Sequence, residues 1–312
     1  MPAVSVVIVA WNGRDLLREC LANVARTKLA QGLEALVVDN ASSDGAREMV
    51  ETEFPDVRLL RTGENLGFAG GNNRGFAETS GDKVLLLNPD AFVSDPDLIS
   101  ELADFLDRNP DHGGVGCKLT YPDGRHQVGD AGFAPAPSTV FSHAFGLARV
   151  FGTKGLFLPP QKDLAPIEVD WISGALFMVR RDVLERVGGL DESFFMYAED
   201  VEFGCRIRSA GWKIAYLPSR SAVHVQGGTQ DTGKSPSTRW LDALAVLYRR
   251  YNPGSFAWFR LSMGAGFALR ALAYRLAGLA RPSTQHAAKA RAMATFARHM
   301  FRMPRPDPTP PR

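Results

Sequence analysis

Short apolar runs alternating with helix-length segments over the first 95 residues do most to restrict what this chain can become. In the run 4–10, Val4, Val6, Val7, Ile8 and Val9 leave no polar face, and seven residues are too few for a buried helix. Such a run predicts a strand covered on both sides, as in the middle of a parallel sheet. Residues 34–38, 57–61 and 83–87 read as further strands. Between them, 15–28 (spaced by Leu16, Leu17, Leu21 and Val24), 44–53 and 72–79 read as helices. This β-α-β-α-β-α-β order predicts an α/β fold with right-handed crossovers, and a ligand at the carboxyl ends of the strands. Those ends are Trp11-Asn12, Asp39-Asn40 and Asn88-Pro89-Asp90. Beyond them a helix is predicted over 95–109, with Asp95 as N-cap and Pro96 at its first position. Residues 121–168, rich in Pro and Gly, read as long loops over the sheet. Pattern returns as a strand at 169–179, helices at 181–187 and 201–210, and final strands at 213–217 and 221–225.

The chain's 312 residues allow one large domain or two small ones, and its formal net charge is only +2. That sum hides a division. Residues 239–312 hold 13 basic residues against Asp242 and Asp307, a net of +11, which leaves −9 on residues 1–238. Cys20, Cys117 and Cys205 are odd in number and form no C-x-x-C pair, which argues against disulfides or structural zinc and fits a reducing cytoplasm. No basic residue precedes the apolar run 4–10, so it reads as a strand and not a leader. Arg260, Arg270 and Arg275 interrupt the late apolar stretches, so no span of about 20 residues is free to cross a bilayer.

Chemistry-bearing side chains cluster at the predicted strand ends. Asp39 can accept hydrogen bonds from a ribose or a base, while Asp44 is better placed to cap the next helix. Trp11-Asn12-Gly13 is no dinucleotide fingerprint, and no phosphate loop of the G-x-x-x-x-G-K-[ST] type occurs. The segment from Asn65 to Gly75, including Gly67, Gly71 and Asn72, concentrates glycine and asparagine as if for close approach to a ligand. Asp90 could hold Mg²⁺ or Mn²⁺ on a diphosphate, although a lone Asp at a turn is more often a turn former. Residues 188–203 crowd Asp191, Glu192, Glu199, Asp200 and Glu202 among aromatic groups. Carboxylates so close raise one another's affinity for protons, which suits a general base; Glu199 and Asp200 also fit the first turn of a helix. His224, at the end of an apolar strand, completes an Asp/His pair able to ligate a metal.

These pieces in this order resemble family 2 glycosyltransferases of the GT-A fold, and within them the rhamnosyltransferase-like branch, over about residues 4–250. The resemblance implies a mostly parallel central sheet flanked by helices, with a C-terminal helical extension. It also implies inverting transfer of a sugar from a nucleoside-diphosphate donor, dTDP-rhamnose first, to a hydroxyl of a glycan or lipid-linked acceptor in cell-envelope polysaccharide synthesis. Carried over by position, Ala10, Trp11, Asn12, Asp39, Asn65, Gly67, Gly71, Asn72 and Asn88 would contact the donor. Asp90 and His224 would hold Mg²⁺ or Mn²⁺, and Asp200 would be the catalytic base. Trp171, Ser173, Gly174 and Glu199 would shape the sugar and acceptor pocket. Two positions depart from the wider family: Asn88 stands where an Asp is usual, and Asn72 where an Arg is frequent.

The division of the chain then reads as a catalytic body over 1–238, a basic helical extension over 239–303 and a disordered end over 304–312. In a helix over 254–281, Trp258 and five leucines oppose an arc of Arg260, Arg270, Arg275 and Arg281. That layout suits an anionic membrane surface on the cytoplasmic face, or a leucine stripe packed on the body; a nucleic-acid partner has no reading motif behind it. Other readings are a UDP-sugar-dependent galactofuranosyl- or N-acetylhexosaminyltransferase, a sugar nucleotidyltransferase, and a non-catalytic nucleotide-sugar-binding protein.

Overall fold

A computed structural model of the chain describes residues 3–29, 32–225, 237–280 and 284–307. The predicted end of the body near 233–237 falls mostly outside these residues, as do 226–228, Arg281 and 308–312. In chain order the elements are β1 (Val4–Ala10), α1 (Arg14–Val24), β2 (Leu33–Asp39), α2 (Ala46–Glu53), β3 (Arg58–Arg61), α3 (Gly67–Ala77) and β4 (Lys83–Leu87). Then come β5 (Ala91–Phe92), α4 (Leu98–Arg108), β6 (His112–Thr120), β7 (Ala131–Gly132), α5 (Pro137–Phe145) and α6 (Leu147–Phe151). The order continues with β8 (Ile167–Val169), β9 (Trp171–Ile172), β10 (Leu176–Arg180), α7 (Arg181–Val187), α8 (Glu199–Ser209) and β11 (Lys213–His224). Three helices close it: α9 (Arg239–Tyr251), α10 (Phe256–Ala280) and α11 (Thr284–Arg302).

Two compact units result, one from residues 1–131 and 160–231, the other from 132–159 and 232–312. The first is a sheet in the order β3-β2-β1-β4-β10-β6-β11-β5, with β8 paired to β11. Its β3-β2-β1-β4 half is parallel, as the sequence predicts. Every residue of β4 is buried, and Ile8 and Val7 of β1 are fully enclosed, so both faces of the sheet are covered. Leu17 and Leu21 of α1 close one side, each worth about 1.5–3 kcal/mol when removed from water.

Beyond β4 the sheet differs from the sequence reading. The predicted strand 169–179 is three short strands, because Ser173 and Gly174 form a turn closed by the Leu176 N–H on the Ser173 carbonyl at 3.2 Å. β10 then runs antiparallel between β4 and β6. β6 has no counterpart in the sequence reading, yet it is central. Its Gly114 and Gly116 leave room for large neighbours: a Cβ there would lie 2.6 Å from the Phe177 ring and 2.4 Å from Ile172 Cγ2. The two predicted final strands are one, β11, whose register with β6 slips between Leu217 and Ser221 around Pro218.

The second unit is helical. Residues 132–159, expected as loops, contain α5 and α6 and share a core with the last three helices through Val140, Ala144, Leu244, Phe259 and Phe267. Gly266 lets α10 approach α5 closely, since a Cβ there would sit 2.3 Å from the Ala144 carbonyl oxygen. His143, half-buried beside Arg270, has its pKa lowered to about 3, mainly by desolvation and then by Arg270. The face of α10 that packs carries Phe256, Phe259, Met263 and Phe267, whereas Trp258, Leu261, Leu269, Leu272, Leu276 and Leu279 are exposed. Of the predicted basic arc, Arg260 and Arg270 instead bond the carbonyls of Met303 and His143. The expected disorder over 304–312 does not extend to 304–307, where Arg249 bonds the Pro306 carbonyl and Arg305 the Pro253 carbonyl.

Candidate active site

Parallel register aligns Ala10 with Asp39 and Ile8 with Leu87, so the chain leaves β1, β2 and β4 at one edge of the sheet. The Asn88 N–H donates to the Ala175 carbonyl at 3.0 Å, which brings the turn before β10 to the end of β4. From that turn the Gly174 N–H donates to Asp200 Oδ2 at 3.2 Å. On the far side, β11 ends with His224 opposite Ala91, and Asp90 Oδ1 lies 3.2 Å from His224 Nε2. Asp39, Asn88, Asp90, Gly174, Asp200 and His224 therefore meet at the edge that the sequence singles out. Among the described residues, the non-glycine positive φ angles also fall here: Asn12 (61°), Ala41 (65°), Tyr197 (72°) and Ala198 (70°). Left-handed backbone at such residues costs on the order of 1–3 kcal/mol each and is kept where the surroundings enforce it.

Tyr197 and Ala198 are the two residues before α8, and their turn sets the direction of Glu199 and Asp200. Asp200 accepts N–H bonds from Gly174 and, at 2.8 Å, from Val201. Burial raises its pKa against those bonds. Burial first, and Asp200 second, push the Glu199 carboxyl well up, and its buried Oε2 has no hydrogen-bond partner. The pair thus offers one carboxylate fixed by two N–H groups beside one held toward its neutral form.

Asp90 and His224 are both buried and face each other. Two neighbouring ligands of an octahedral cation at about 2.1 Å lie about 3 Å apart, so the 3.2 Å between Oδ1 and Nε2 fits a shared Mg²⁺ or Mn²⁺. Asn88 Nδ2 stands 3.4 Å from the same Nε2, and rotation of this amide would bring an oxygen donor there. These are hard or borderline donors, and two protein ligands leave positions for diphosphate oxygens.

Other predicted positions have firm partners of their own. Asp39 is buried at the end of β2, its Oδ1 accepting the Ser42 N–H and its Oδ2 the Arg47 guanidinium. Asp44 accepts from the N–H groups of Arg14 and Ala46, at the starts of α1 and α2, although the N-cap of α2 is the left-handed Gly45 and not Asp44 as expected. Asn12 Oδ1 accepts the Ser43 N–H, tying the exits of β1 and β2 together, and the adjoining Trp11 is 52% exposed. Asn65 Oδ1 accepts the Gly67 N–H, and Gly67 is left-handed against the Phe195 carbonyl. Trp171 is buried beneath α8, and Ser173 donates its N–H to the Asp130 carbonyl.

The glycine-asparagine segment requires a correction. It is helix α3 and not a ligand loop; a Cβ at Gly71 would lie 2.6 Å from Val9 and one at Gly75 2.3 Å from Val7. These glycines press the helix onto β1. Asn72 is buried and bonds the Phe68 carbonyl one turn back, so Gly71 and Asn72 are packed within the body by their own contacts. Two residues that sequence reasoning passed over do more for the site. Asn73 accepts the Leu190 N–H and donates to the Leu190 carbonyl and to Glu192, clamping the acidic segment. Gln127, inside the Pro/Gly-rich stretch, bonds His224 Nδ1 at 2.6 Å, and nothing in its sequence context marks it.

The family described as "Glycosyltransferase like family 2" matches residues 2–243. An N-acetylglucosaminyl-diphospho-decaprenol L-rhamnosyltransferase of Mycobacterium tuberculosis is 32% identical over 248 residues, covering 75% of this chain and 78% of its own. The rhamnosyltransferase WbbL of Escherichia coli is 23% identical over 244 residues, covering 76% of this chain and 89% of its own. A mannosyltransferase of Pyrobaculum calidifontis, solved with GDP-Man and Mn²⁺, superimposes with a TM-score of 0.55 at 20% identity, over 96% of this chain and 85% of its own.

Proposed function

Because the chain belongs to the glycosyltransferase-like family 2, we propose that it transfers L-rhamnose, with inversion, from dTDP-rhamnose to a hydroxyl of a lipid-linked sugar during cell-envelope polysaccharide synthesis. The observation that carries the reaction type is that Asp200, through Gly174 and the adjoining Asn88–Ala175 bond, and the Asp90–His224 pair lie at the same carboxyl edge of the sheet. The choice of sugar and acceptor rests on the 32% identical relative, whose name specifies rhamnose and a decaprenol-linked acceptor.

In this reading Ala10, Trp11, Asn12 and Asp39 border the base and ribose of the donor. Asp200, oriented by the Gly174 and Val201 N–H groups, takes the proton from the acceptor hydroxyl as that oxygen attacks the anomeric carbon from the face opposite the diphosphate. Its raised proton affinity makes it a stronger base than a solvated aspartate. A single displacement inverts the anomeric centre without a covalent intermediate. A Mg²⁺ or Mn²⁺ ion, when bound, supplies charge to the departing diphosphate. Asp90 and His224 would hold it, with Asn88 contributing polarity without charge.

The second unit bears on where the acceptor is met. No described helix is long and apolar enough to cross a membrane. Yet the exposed Trp258 and leucines of α10 span an arc of about 80° at 100° per residue. With 13 basic and two acidic residues over 239–312, this surface suits the interface of an anionic bilayer on the cytoplasmic side.

The test is transfer to a polyprenyl-diphosphate-linked N-acetylglucosamine, with dTDP-rhamnose and UDP-sugars compared in the presence of Mn²⁺. Asp200→Asn is expected to lower turnover at least about 100-fold, while dTDP-rhamnose still raises the melting temperature of the protein. Near-wild-type turnover would remove Asp200 from its role. Indifference of the wild-type protein to every nucleotide sugar would overturn the transferase reading.

A further inference from the structure

His224 can serve a cation only if its Nε2 presents a lone pair, and the structure contains a device that decides this. Its other nitrogen, Nδ1, is 2.6 Å from Gln127 Oε1. The amide orientation follows from its other end, where Gln127 Nε2 faces the His224 main-chain carbonyl at 3.4 Å, an oxygen that only an N–H can serve. Oε1 is therefore the atom turned to the ring. At 2.6 Å a carbonyl oxygen and an unprotonated ring nitrogen would set lone pair against lone pair, so Nδ1 carries the hydrogen. Whatever happens at the ring then happens at Nε2, the nitrogen facing Asp90 and Asn88.

Gln127 is itself held. Its N–H donates to the Leu119 carbonyl at 2.9 Å, and His126 bridges Thr120. Three residues on, buried Asp130 accepts from the Leu119 N–H, the Tyr216 hydroxyl at 2.7 Å and His126 Nε2 at 2.9 Å. The loop after β6 is thus anchored to β6 and β11 on both sides of Gln127, and the residue is buried.

We propose that Gln127 is a positioning residue for the proposed cation site, fixing the Nδ1–H tautomer and ring plane of His224 so that Nε2 and Asp90 Oδ1 present two ready ligand atoms to Mg²⁺ or Mn²⁺. The inference rests on the metal reading above and deepens it. Without this acceptor the ring is free to place its hydrogen on Nε2 toward Asp90, where a cation must first displace it. Outer-sphere partners of this kind are worth 10–100-fold in metal affinity in other sites.

Two measurements test it, neither requiring turnover. In metal-free wild-type protein labelled with ¹⁵N-histidine, at a pH above the imidazole titration range, the His224 ring should show hydrogen on Nδ1 and a bare Nε2. An Nε2–H tautomer overturns the proposal, even if no variant folds. Mn²⁺ titrations followed by electron paramagnetic resonance, in the presence of dTDP, then compare four proteins. Gln127→Met, similar in length but without an acceptor, should bind Mn²⁺ about 10–100-fold more weakly. Gln127→Glu, which restores an oxygen toward Nδ1, should recover most of that affinity; a purely structural role for the amide would not be rescued in this way. Wild-type affinity in a folded Gln127→Met protein overturns the positioning role alone, provided His224→Ala abolishes binding. Equal binding by wild type and His224→Ala overturns the metal reading, and the role of Gln127 with it.

Discussion

Glu199 holds a position with opposing consequences for activity and stability. Its carboxyl is buried, lacks a partner on Oε2 and adjoins Asp200, so the folded chain binds its proton more tightly than the unfolded chain does. The unfolded group titrates near about pH 4.3. Below that range both states are protonated and no stability is lost. As pH rises through and beyond it, the unfolded state sheds the proton first and the folded state loses relative stability. Glu199→Gln keeps the shape and cannot ionise. It should therefore raise the melting temperature at about pH 8 and leave it nearly unchanged at about pH 4. Calorimetry at the two pH values decides, and an equal shift at both would show that the native carboxyl is not held neutral. The acidic cluster at 188–203 was visible in the sequence as a candidate site. Which carboxylate is solvated, capped or orphaned was not, because that depends on the N–H groups of Gly174 and Val201 and on the left-handed turn at Tyr197 and Ala198.

Helix α8 carries this pair, and its own placement depends on one missing side chain. A Cβ at Gly204 would lie 2.4 Å from the Asp170 carbonyl oxygen and 2.8 Å from the Trp171 backbone. Backbone atoms cannot swing aside as a flexible side chain can, so Gly204→Ala should push the helix off β9 at a cost of about 1–3 kcal/mol. Urea unfolding would register that loss. Because Asp200 is one turn upstream on the same helix, turnover should fall more than donor affinity, and unchanged turnover would show that the helix can move without the base. Elements with one strong pattern were legible in the sequence: β1, β4 and α7 lie where apolar runs and periodicity put them. β6 was not legible, because Gly113, Gly114 and Gly116 leave it without a continuous apolar run, and the ring of Phe177 and the side chain of Ile172 fill the space beside Gly114 and Gly116. At α3 the same residue type read as a loop, whereas Gly71 and Gly75 let a helix lie close against β1.

At the scale of the molecule, the charge division found in the sequence and the unit division found in the structure differ. Residues 132–159 join the basic helices by sharing their core, and their Pro and Gly content hid that membership. The leucine face of α10 is the part of the second unit on which the membrane reading turns. Leu272 and Leu276 are 53% and 57% exposed, so the double substitution Leu272→Asp, Leu276→Asp should leave the fold intact. With each buried leucine worth about 1.5–3 kcal/mol, co-sedimentation with vesicles containing anionic lipid should drop by tenfold or more. Wild-type protein that stays in the supernatant would remove the bilayer as the partner of this face.

The sheet order has a consequence for how the chain is made. β5, the two-residue strand beside Asp90, pairs with β11, and 136 residues separate Asn88 from His224. A ribosome delivers the parallel half first, as a run of local crossovers, and His224, the second of the two proposed cation ligands, only after β11 has found its place between β6 and β5. A nascent or prematurely ended chain would carry Asp90 without the His224 that faces it in the finished sheet. If the proposed roles hold, the chain acquires its proposed cation pair only when synthesis of the sheet is finished.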